Sequence, residues 1–425
     1  MVVKNQIWNR LWVAIEPWLV SLSASLFLFY EFIQGNIFAT IADLIMRDFH
    51  IQADKVGYLS STYYLANVFF LFIAGLLLDK FSPKKIILVV MFFCLLSTVW
   101  LAETTNFYCA LICRFITGIG SAFCFLAPLR IASNWFKPQR MALVTSIIIT
   151  LAMGGGMIAQ YPVAKLVVVV GWRTTLIYVS AAGLLMLLFM ALTIKEQEKK
   201  YANIKHNLMP VKVIFKKTYY NLQILSAALY TSLMNMPIAI YGAMMGTLYI
   251  MQRIGINKEE AAIVNMMLFL GAIVGGPLFA WCSDKLALRI LPMKIGATAA
   301  LITILIILFI PVSLTTMQVL FFCLGLFTAA QTISYAYVAE CCDLTITATA
   351  ISVVSFFTQS GYIIYQNLFS ILLIKHGSLH VVAGIPIYST NAYFNASLII
   401  PIGLILAIIC LYSMPKKLKY SEAIS

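Results

Sequence analysis

The sequence predicts an all-α membrane protein: twelve transmembrane helices in two pseudo-symmetric six-helix bundles. Three observations carry that reading. The composition is too apolar for a soluble chain, twelve runs are long enough to cross a bilayer, and landmarks recur at offsets of 205 and 206 residues.

Of 425 residues, 62% are hydrophobic and 10% charged, with a mean hydropathy of +0.95, well outside the range of soluble domains. The net charge of +14 sits in short clusters between apolar runs. That pattern argues against a groove-sized basic surface and a nucleic-acid partner, and it suits loops anchored to the headgroups of a lipid bilayer. The nine cysteines show no CxxC spacing, and His50, His206, His376 and His380 are scattered through loops. Neither set assembles a metal site or a nucleophile. There is no GxxxxGK[ST] phosphate loop, so neither a cofactor nor enzyme chemistry is expected.

A helix needs about 20 residues to cross the hydrocarbon. Runs of that size occupy 17–41, 56–78, 86–103, 107–133, 141–168 and 173–193, then 221–251, 260–282, 294–313, 317–340, 347–374 and 391–413. Lys4 and Arg10 precede Glu16, Pro17 and a long apolar run with no small-residue cleavage site, the pattern of a retained first helix. The segment "KEQEKKYANIKHNLMPVKVIFKK" at 195–217 is the longest polar stretch and carries seven lysines. It predicts a linker at 195–220 between bundles at 1–194 and 221–425. With both termini and the linker cytoplasmic, the inner segments hold about 20 Lys and Arg against about six outside, the bias that sets orientation. Pro237 is expected to kink or break the seventh helix.

The halves repeat. "AGLLLDKFSPKK" at 74–85 follows the second run and "LFAWCSDKLALR" at 278–289 follows the eighth, aligning Asp79-Lys80 with Asp284-Lys285. In the fifth and eleventh runs, Ala142, Gly155 and Gln160 fall opposite Ala348, Gly361 and Gln366. Duplicated six-helix halves of this kind are common in secondary transporters.

"GLLLDKFSPKK" at 75–85 resembles the signature between helices 2 and 3 of the major facilitator superfamily. Ser82 stands where that signature usually has glycine, so its turn geometry does not carry over. "RFITGIGSA" at 114–122 resembles the family's helix-4 motif, and "NWFKPQRMA" at 134–142 and "GWR" at 171–173 are similar to bacterial members. "AMGGGMIAQYP" at 152–162 does not reproduce the glycine-proline pattern of many antiporters. The resemblance implies a two-bundle carrier working by alternating access, with its solute site near the midplane between the bundles. Gly75, Asp79, Lys80 and Asp284 become gating candidates, because a carboxylate at the cytoplasmic mouth can meet a neighbouring helix N-terminus in one state and release it in the other.

Two ionisable side chains lie well inside a run, Glu31 in the first and Arg114 in the fourth. At about 1.5 Å per residue they sit about 15 and 10 Å below the outer ends of their helices. That similar depth makes them an expected ion pair. A lone charge at the centre of a span costs about 3 kcal/mol, which pairing reduces. Glu31 is expected either to exchange a proton during transport or to hold a static bridge to Arg114.

Other polar and aromatic residues recur at helical steps of three and four. Gln34, Tyr63, Asn67, Tyr230, Tyr241, Gln331, Tyr335, Gln359, Tyr362 and Gln366 are the candidate walls of a central polar cavity. "FYEFIQGNIF" and "GYLSSTYYLANVFF" resemble bacterial importers of amino acids or organic acids. The expected function is secondary active transport of one small polar solute of amino-acid or organic-acid type. It is expected to run as proton symport powered by the proton gradient, by a monomer in the cell inner (plasma) membrane. A uniporter, for instance of dipeptides, a drug/proton antiporter and a non-transporting solute sensor are the alternatives.

Overall fold

Each apolar run forms a helix, and the polar residues flanking it set its ends. The structure is a computed structural model and describes residues 2–137, 140–195, 221–286, 288–341, 347–376, 379–382 and 385–414. Side chains are described from residue 15 onward, except those of Asp79, Ala142, 347–348 and 376–386. The 195–220 linker therefore lies outside the described residues, apart from Lys195.

In the first half, α1 (Val2–Asn36) turns at Ile37 into α2 (Phe38–Asp48), followed by α3 (Ala53–Lys80) and α4 (Pro83–Glu103). The fourth crossing joins α5 (Phe107–Cys124) to α6 (Leu126–Trp135), the fifth joins α7 (Met141–Ile158) to α8 (Tyr161–Val170), and α9 (Trp172–Thr193) is the sixth. Ser82 has β-region backbone angles and its hydroxyl accepts the Lys85 N–H at 3.2 Å, with Pro83 in the first helical turn. A serine N-cap thus starts α4 where the family signature would place a glycine. Asn106 caps α5 in the same way.

In the second half, the seventh crossing is α10 (Leu222–Met234), a π-helical stretch (Ile238–Met245) and α11 (Gly246–Ile254), bent by 41° between Met234 and Ile238. Pro237 lies at that bend, as its missing N–H and its clash with the preceding turn require. Then come α12 (Lys258–Leu286), α13 (Ile290–Phe309), α14 (Leu314–Thr328), a 3₁₀ turn (Ala329–Thr332), α15 (Ile333–Cys341) and α16 (Thr347–His376). A hairpin of β1 (Leu379–Val382) and β2 (Ile385–Tyr388) leads into α17 (Thr390–Ser397) and α18 (Ile399–Tyr412).

Among the described residues, ten helices are long and apolar enough to span a bilayer, and the bent seventh crossing makes up to eleven. The twelfth is α16, 30 residues long, whose Gln359, Gln366, Asn367 and Ser370 lower its hydropathy.

The repeat is visible in the packing. A Cβ on Gly155 would lie 2.2 Å from the Phe29 carbonyl oxygen of α1, and one on Gly361 would lie 2.1 Å from Ser232 Oγ of α10. Likewise Gly118 packs α5 on the Tyr63 carbonyl of α3, and Gly325 packs α14 on the Leu268 carbonyl of α12. Only a residue without a side chain permits backbones to approach this closely.

The two bundles meet along α3 and α16, along α12 with α7 and α8, and where α2 lies on the π stretch and α11. Several hydrogen bonds from bundle to bundle fall in the half of the molecule that carries the hairpin. Lys258 Nζ is 2.7 Å from Asp43 Oδ1, the Ala53 N–H donates to Tyr388 Oη at 3.0 Å, and Asn367 Nδ2 donates to Ser61 Oγ at 3.0 Å. Gln160 adds two more: its Nε2 donates to the Gly242 carbonyl at 2.9 Å and its Oε1 accepts from Asn265 Nδ2 at 2.7 Å. This end is called the hairpin end below, and the opposite one the linker end.

Candidate functional site

The break after Asn36 and the close α3–α5 contact at Gly118 bring α1, α3 and α5 together around two charged side chains. Glu31 is 1% exposed and Arg114 is fully buried. Tyr63 lies between them. Its hydroxyl donates to Glu31 Oε2 at 2.9 Å, and the Arg114 guanidinium carbon is 4.8 Å from the centre of its ring. Phe38 offers a second ring to the guanidinium at 4.5 Å, and such cation–π contacts strengthen when desolvated.

The expected ion pair is corrected here: Glu31 and Arg114 share the pocket without a direct salt bridge. Similar depth in the membrane placed them together but did not fix their separation across it, and the Tyr63 ring occupies the space. Arg114 Nη1 donates to the Gln34 carbonyl at 3.0 Å, whereas Nε and Nη2 have no protein partner. Glu31 Oε1 accepts no N–H or O–H; it lies against Gly120, where a Cβ would come within 3.1 Å of it, and beside the weakly donating Cys94 thiol of α4. Two opposite charges are thus buried side by side, each with hydrogen-bonding capacity left over. Such groups are costly unless a ligand, water or proton completes them.

Gln34 Nε2 donates to Tyr30 Oη at 2.7 Å, and Asn67 Nδ2 donates to Ser121 Oγ at 2.7 Å, joining α3 to α5. Both candidates border the pocket. In the second bundle, Gln331 and Asn235 exchange amide hydrogen bonds, Gln331 Nε2 donating at 3.0 Å. Nearby, Ser232 Oγ and Tyr365 Oη are 2.9 Å apart. Tyr362 crosses the boundary, its ring centre 4.5 Å from that of Tyr64. Gln359 and Tyr335 are half-buried on the same bundle.

Three further candidates are fully buried among residues of the second bundle. Tyr230 is fully buried within its own bundle and donates to the Met293 carbonyl at 3.1 Å. Tyr241 is packed in the hairpin half, stacked on Tyr249 with ring centres 4.8 Å apart. Gln366 Nε2 holds the Ala239 carbonyl of the π stretch at 3.0 Å. Helical spacing put these residues on polar faces but could not say which neighbour each face meets.

At the linker end, Asp284 Oδ1 is 2.5 Å from Arg289 Nη1, and Arg289 also grips Glu340 of α15. Glu340 first, then Asp284, raise the Arg289 pKa against its partial burial. Lys80 is exposed, a Cβ on Gly75 would meet nothing within 4 Å, and the Asp79 side chain lies outside the described residues.

Sequence reasoning missed Asp43, Lys258, Asn235, Asn265 and Tyr388. Asn265 was detectable as an amide within an apolar run. Asp43 and Lys258 are 215 residues apart, and nothing local links them.

Two six-helix bundles, the first holding buried and incompletely paired charged groups, are an architecture suited to a membrane carrier. A sequence profile described as the Major Facilitator Superfamily matches residues 23–242 and 227–423. The chain belongs to that superfamily.

Among similar proteins, the probable sulfoacetate transporter SauU of Cupriavidus necator is 24% identical over 176 residues, 41% of each chain. The hexuronate transporter of Bacillus subtilis is 22% identical over 170 residues, 40% of each chain. The chain thus aligns with well under half the length of these two relatives. The chloramphenicol resistance protein CraA of Acinetobacter baumannii is 25% identical over 291 residues, 67% of this chain and 69% of that one.

Two solved structures share the fold. A bacterial homologue of the human lysosomal transporter Spinster, described as inward-facing and occupied, superposes with a TM-score of 0.73 at 16% identity, covering 92% of this chain and 95% of that one. The nucleoside transporter NupG superposes with a TM-score of 0.68 at 13% identity, covering 93% of this chain and 98% of that one.

Proposed function

We propose that the chain is a secondary active carrier that moves one small polar solute, of organic-acid or amino-acid type, by alternating access with proton symport through Glu31. The observation that carries this reading is the burial of Glu31 and Arg114 in one pocket with no salt bridge between them. A carboxylate in hydrocarbon is relieved by a proton, and a guanidinium by an anion. One site therefore has a use for both a proton and an acid. The names of the first two relatives, which specify sulfoacetate and a hexuronate, agree with an anionic solute.

With the linker and both termini cytoplasmic, as the lysine and arginine count favours, the hairpin end faces outward. The bundle-to-bundle hydrogen bonds then close the outer half, and the site is reached from the cytoplasm. Gly75, Asp79, Lys80 and Asp284 form the inner gate. The proton gradient of the cell inner membrane supplies the energy, without a cofactor, and a monomer suffices. Drug/proton antiport is the second reading, favoured by the alignment with CraA over 67% of the chain.

The test uses purified protein in liposomes with an imposed pH gradient, screened against pools of organic acids, amino acids, dipeptides and chloramphenicol. Accumulation of an acid or amino acid above equilibrium supports symport. Equilibration without accumulation, or proton-driven export of chloramphenicol alone, overturns it.

A further inference from the structure

Three hydrogen-bonding edges surround the guanidinium of an arginine, and in Arg114 they are used unequally. Nη1 is committed to the Gln34 carbonyl at 3.0 Å, and the guanidinium carbon lies 4.5 Å from the Phe38 ring centre and 4.8 Å from that of Tyr63. Nε and Nη2 are unpartnered. These two nitrogens project their hydrogens in parallel from one edge, the fork that meets the two oxygens of a carboxylate in a bidentate pair. A side chain that is fully buried and held against two aromatic rings, with that edge free, is organised in advance for such a group.

The charges of the pocket add a second constraint. Among the described residues, three charged side chains are buried: Glu31, Asp43 and Arg114. Asp43 is neutralised by Lys258. The other ionisable groups interacting with Glu31 are Tyr30 on its own helix, Tyr63 on α3, Cys94 on α4, and Arg114 and Cys124 on α5. Of these, Arg114 is the one that carries charge as a neutral-pH side chain. The empty pocket with ionised Glu31 is therefore neutral. It is neutral again when Glu31 takes one proton and Arg114 takes one monovalent anion. With Glu31 protonated, a neutral or zwitterionic solute leaves net positive charge in the low-dielectric interior and a divalent anion leaves net negative charge, each at a cost; a neutral or zwitterionic solute is balanced with Glu31 ionised, a loading that moves no proton.

Resting on the symport reading above, we infer that Arg114 Nε and Nη2 form a carboxylate-binding fork, and that the solute is a monovalent organic acid carried electroneutrally with one proton. A zwitterionic amino acid leaves the proton-loaded pocket positive, and a dicarboxylate leaves it negative. Both are disfavoured, which narrows the solute to acids with a single charge. A sulfonate presents the same edge-matching oxygens and belongs to the same class.

The experiment has two arms. In the first, thermal unfolding of the detergent-purified full chain is followed with lactate, gluconate, glucuronate and methanesulfonate, and with lactamide, gluconamide, glucuronamide, alanine and the divalent succinate and sulfoacetate as counterparts. Stabilisation by a monovalent acid, absent with its amide and at least about tenfold weaker in Arg114→Lys, supports the fork. Equal stabilisation by acid and amide, by alanine, by succinate or by sulfoacetate overturns it, as does stabilisation by none of the acids. The acid-against-amide comparison needs only the wild-type chain and stands if Arg114→Lys does not fold.

In the second arm, uptake of the best-binding acid into liposomes is driven by a pH gradient at zero potential, then by a valinomycin potential at equal pH. Uptake that follows the pH gradient and ignores the potential supports neutral loading, and uptake that follows the potential overturns it. Binding through Arg114 with no proton-driven uptake leaves the fork standing and sinks the symport reading instead.

Discussion

Lys258 Nζ lies 2.7 Å from Asp43 Oδ1 and 2.8 Å from Oδ2, tying the first turn of α12 to α2 across the two bundles. Both side chains are nearly buried, at 13% and 11% exposure, so the pair is poorly screened by solvent. Opening the hairpin end requires this contact to break. Asp43→Asn is expected to increase several-fold the labelling of a cysteine placed at Ala159 by an impermeant thiol reagent, in a background free of the native cysteines. Unchanged labelling would remove the pair from the gate.

Tyr63 has two separable roles, one in its hydroxyl and one in its ring. Tyr63→Phe removes the donor to Glu31 Oε2 and keeps the surface under Arg114. Proton-driven accumulation is expected to fall while the melting temperature drops by no more than one hydrogen bond implies, about 1 kcal/mol in stability. Tyr63→Leu also removes the cation–π contact and is expected to destabilise the protein further. Equal effects of the two variants on accumulation and melting would contradict this division.

Glycines separate packing from gating. A Cβ at Gly118 would lie 2.2 Å from the Tyr63 carbonyl oxygen, so Gly118→Ala must push α5 off α3, with an expected loss of about 1–3 kcal/mol. Gly75 has open space around it, and Gly75→Ala is expected to melt like the wild type. Thermal unfolding of the pair checks this. Slowed transport in Gly75→Ala at unchanged stability would locate its role in the gate.

Asp48 gives the hairpin end a pH dependence. Burial pushes its pKa up, but the hydrogen bond from Trp172 Nε1 and the charges of Arg47 and Arg173 outweigh that and hold it below the ordinary carboxylate value. A carboxyl with a depressed folded-state pKa contributes stability above its unfolded value and loses it as pH falls through the folded one. Wild-type melting should therefore decline on acidification into and below the carboxylate range more steeply than that of Asp48→Asn. Parallel curves would show that the Trp172 and arginine contacts contribute nothing to folding.

The twelve crossings were legible because length and apolarity suffice to mark a spanning helix. Glu31 and Arg114 were legible because a charge in an apolar run is costly and calls for a partner or a role. Their geometry was not. Whether two residues at one depth touch depends on how each helix is rotated and on what stands between, and the intervening Tyr63 came from a third helix. Gln160 and Gln366 were visible as a repeated pair, yet the structure gives them different work. Gln160 joins the bundles through Gly242 and Asn265, whereas Gln366 braces Ala239 within its own bundle. The π stretch itself was hidden, since Ile238–Met245 is apolar or small apart from Tyr241 and Pro237 alone announces a break.

The central claim is that the proton on Glu31 comes and goes as solute moves. The most direct measurement compares wild type and Glu31→Gln in the same liposomes for two activities: accumulation against a pH gradient, and exchange of labelled for unlabelled solute at equilibrium. The account predicts that Glu31→Gln loses accumulation and retains exchange, because the amide mimics the protonated carboxyl through the whole cycle. Accumulation at the wild-type level in Glu31→Gln would contradict it and return Glu31 to a purely structural role.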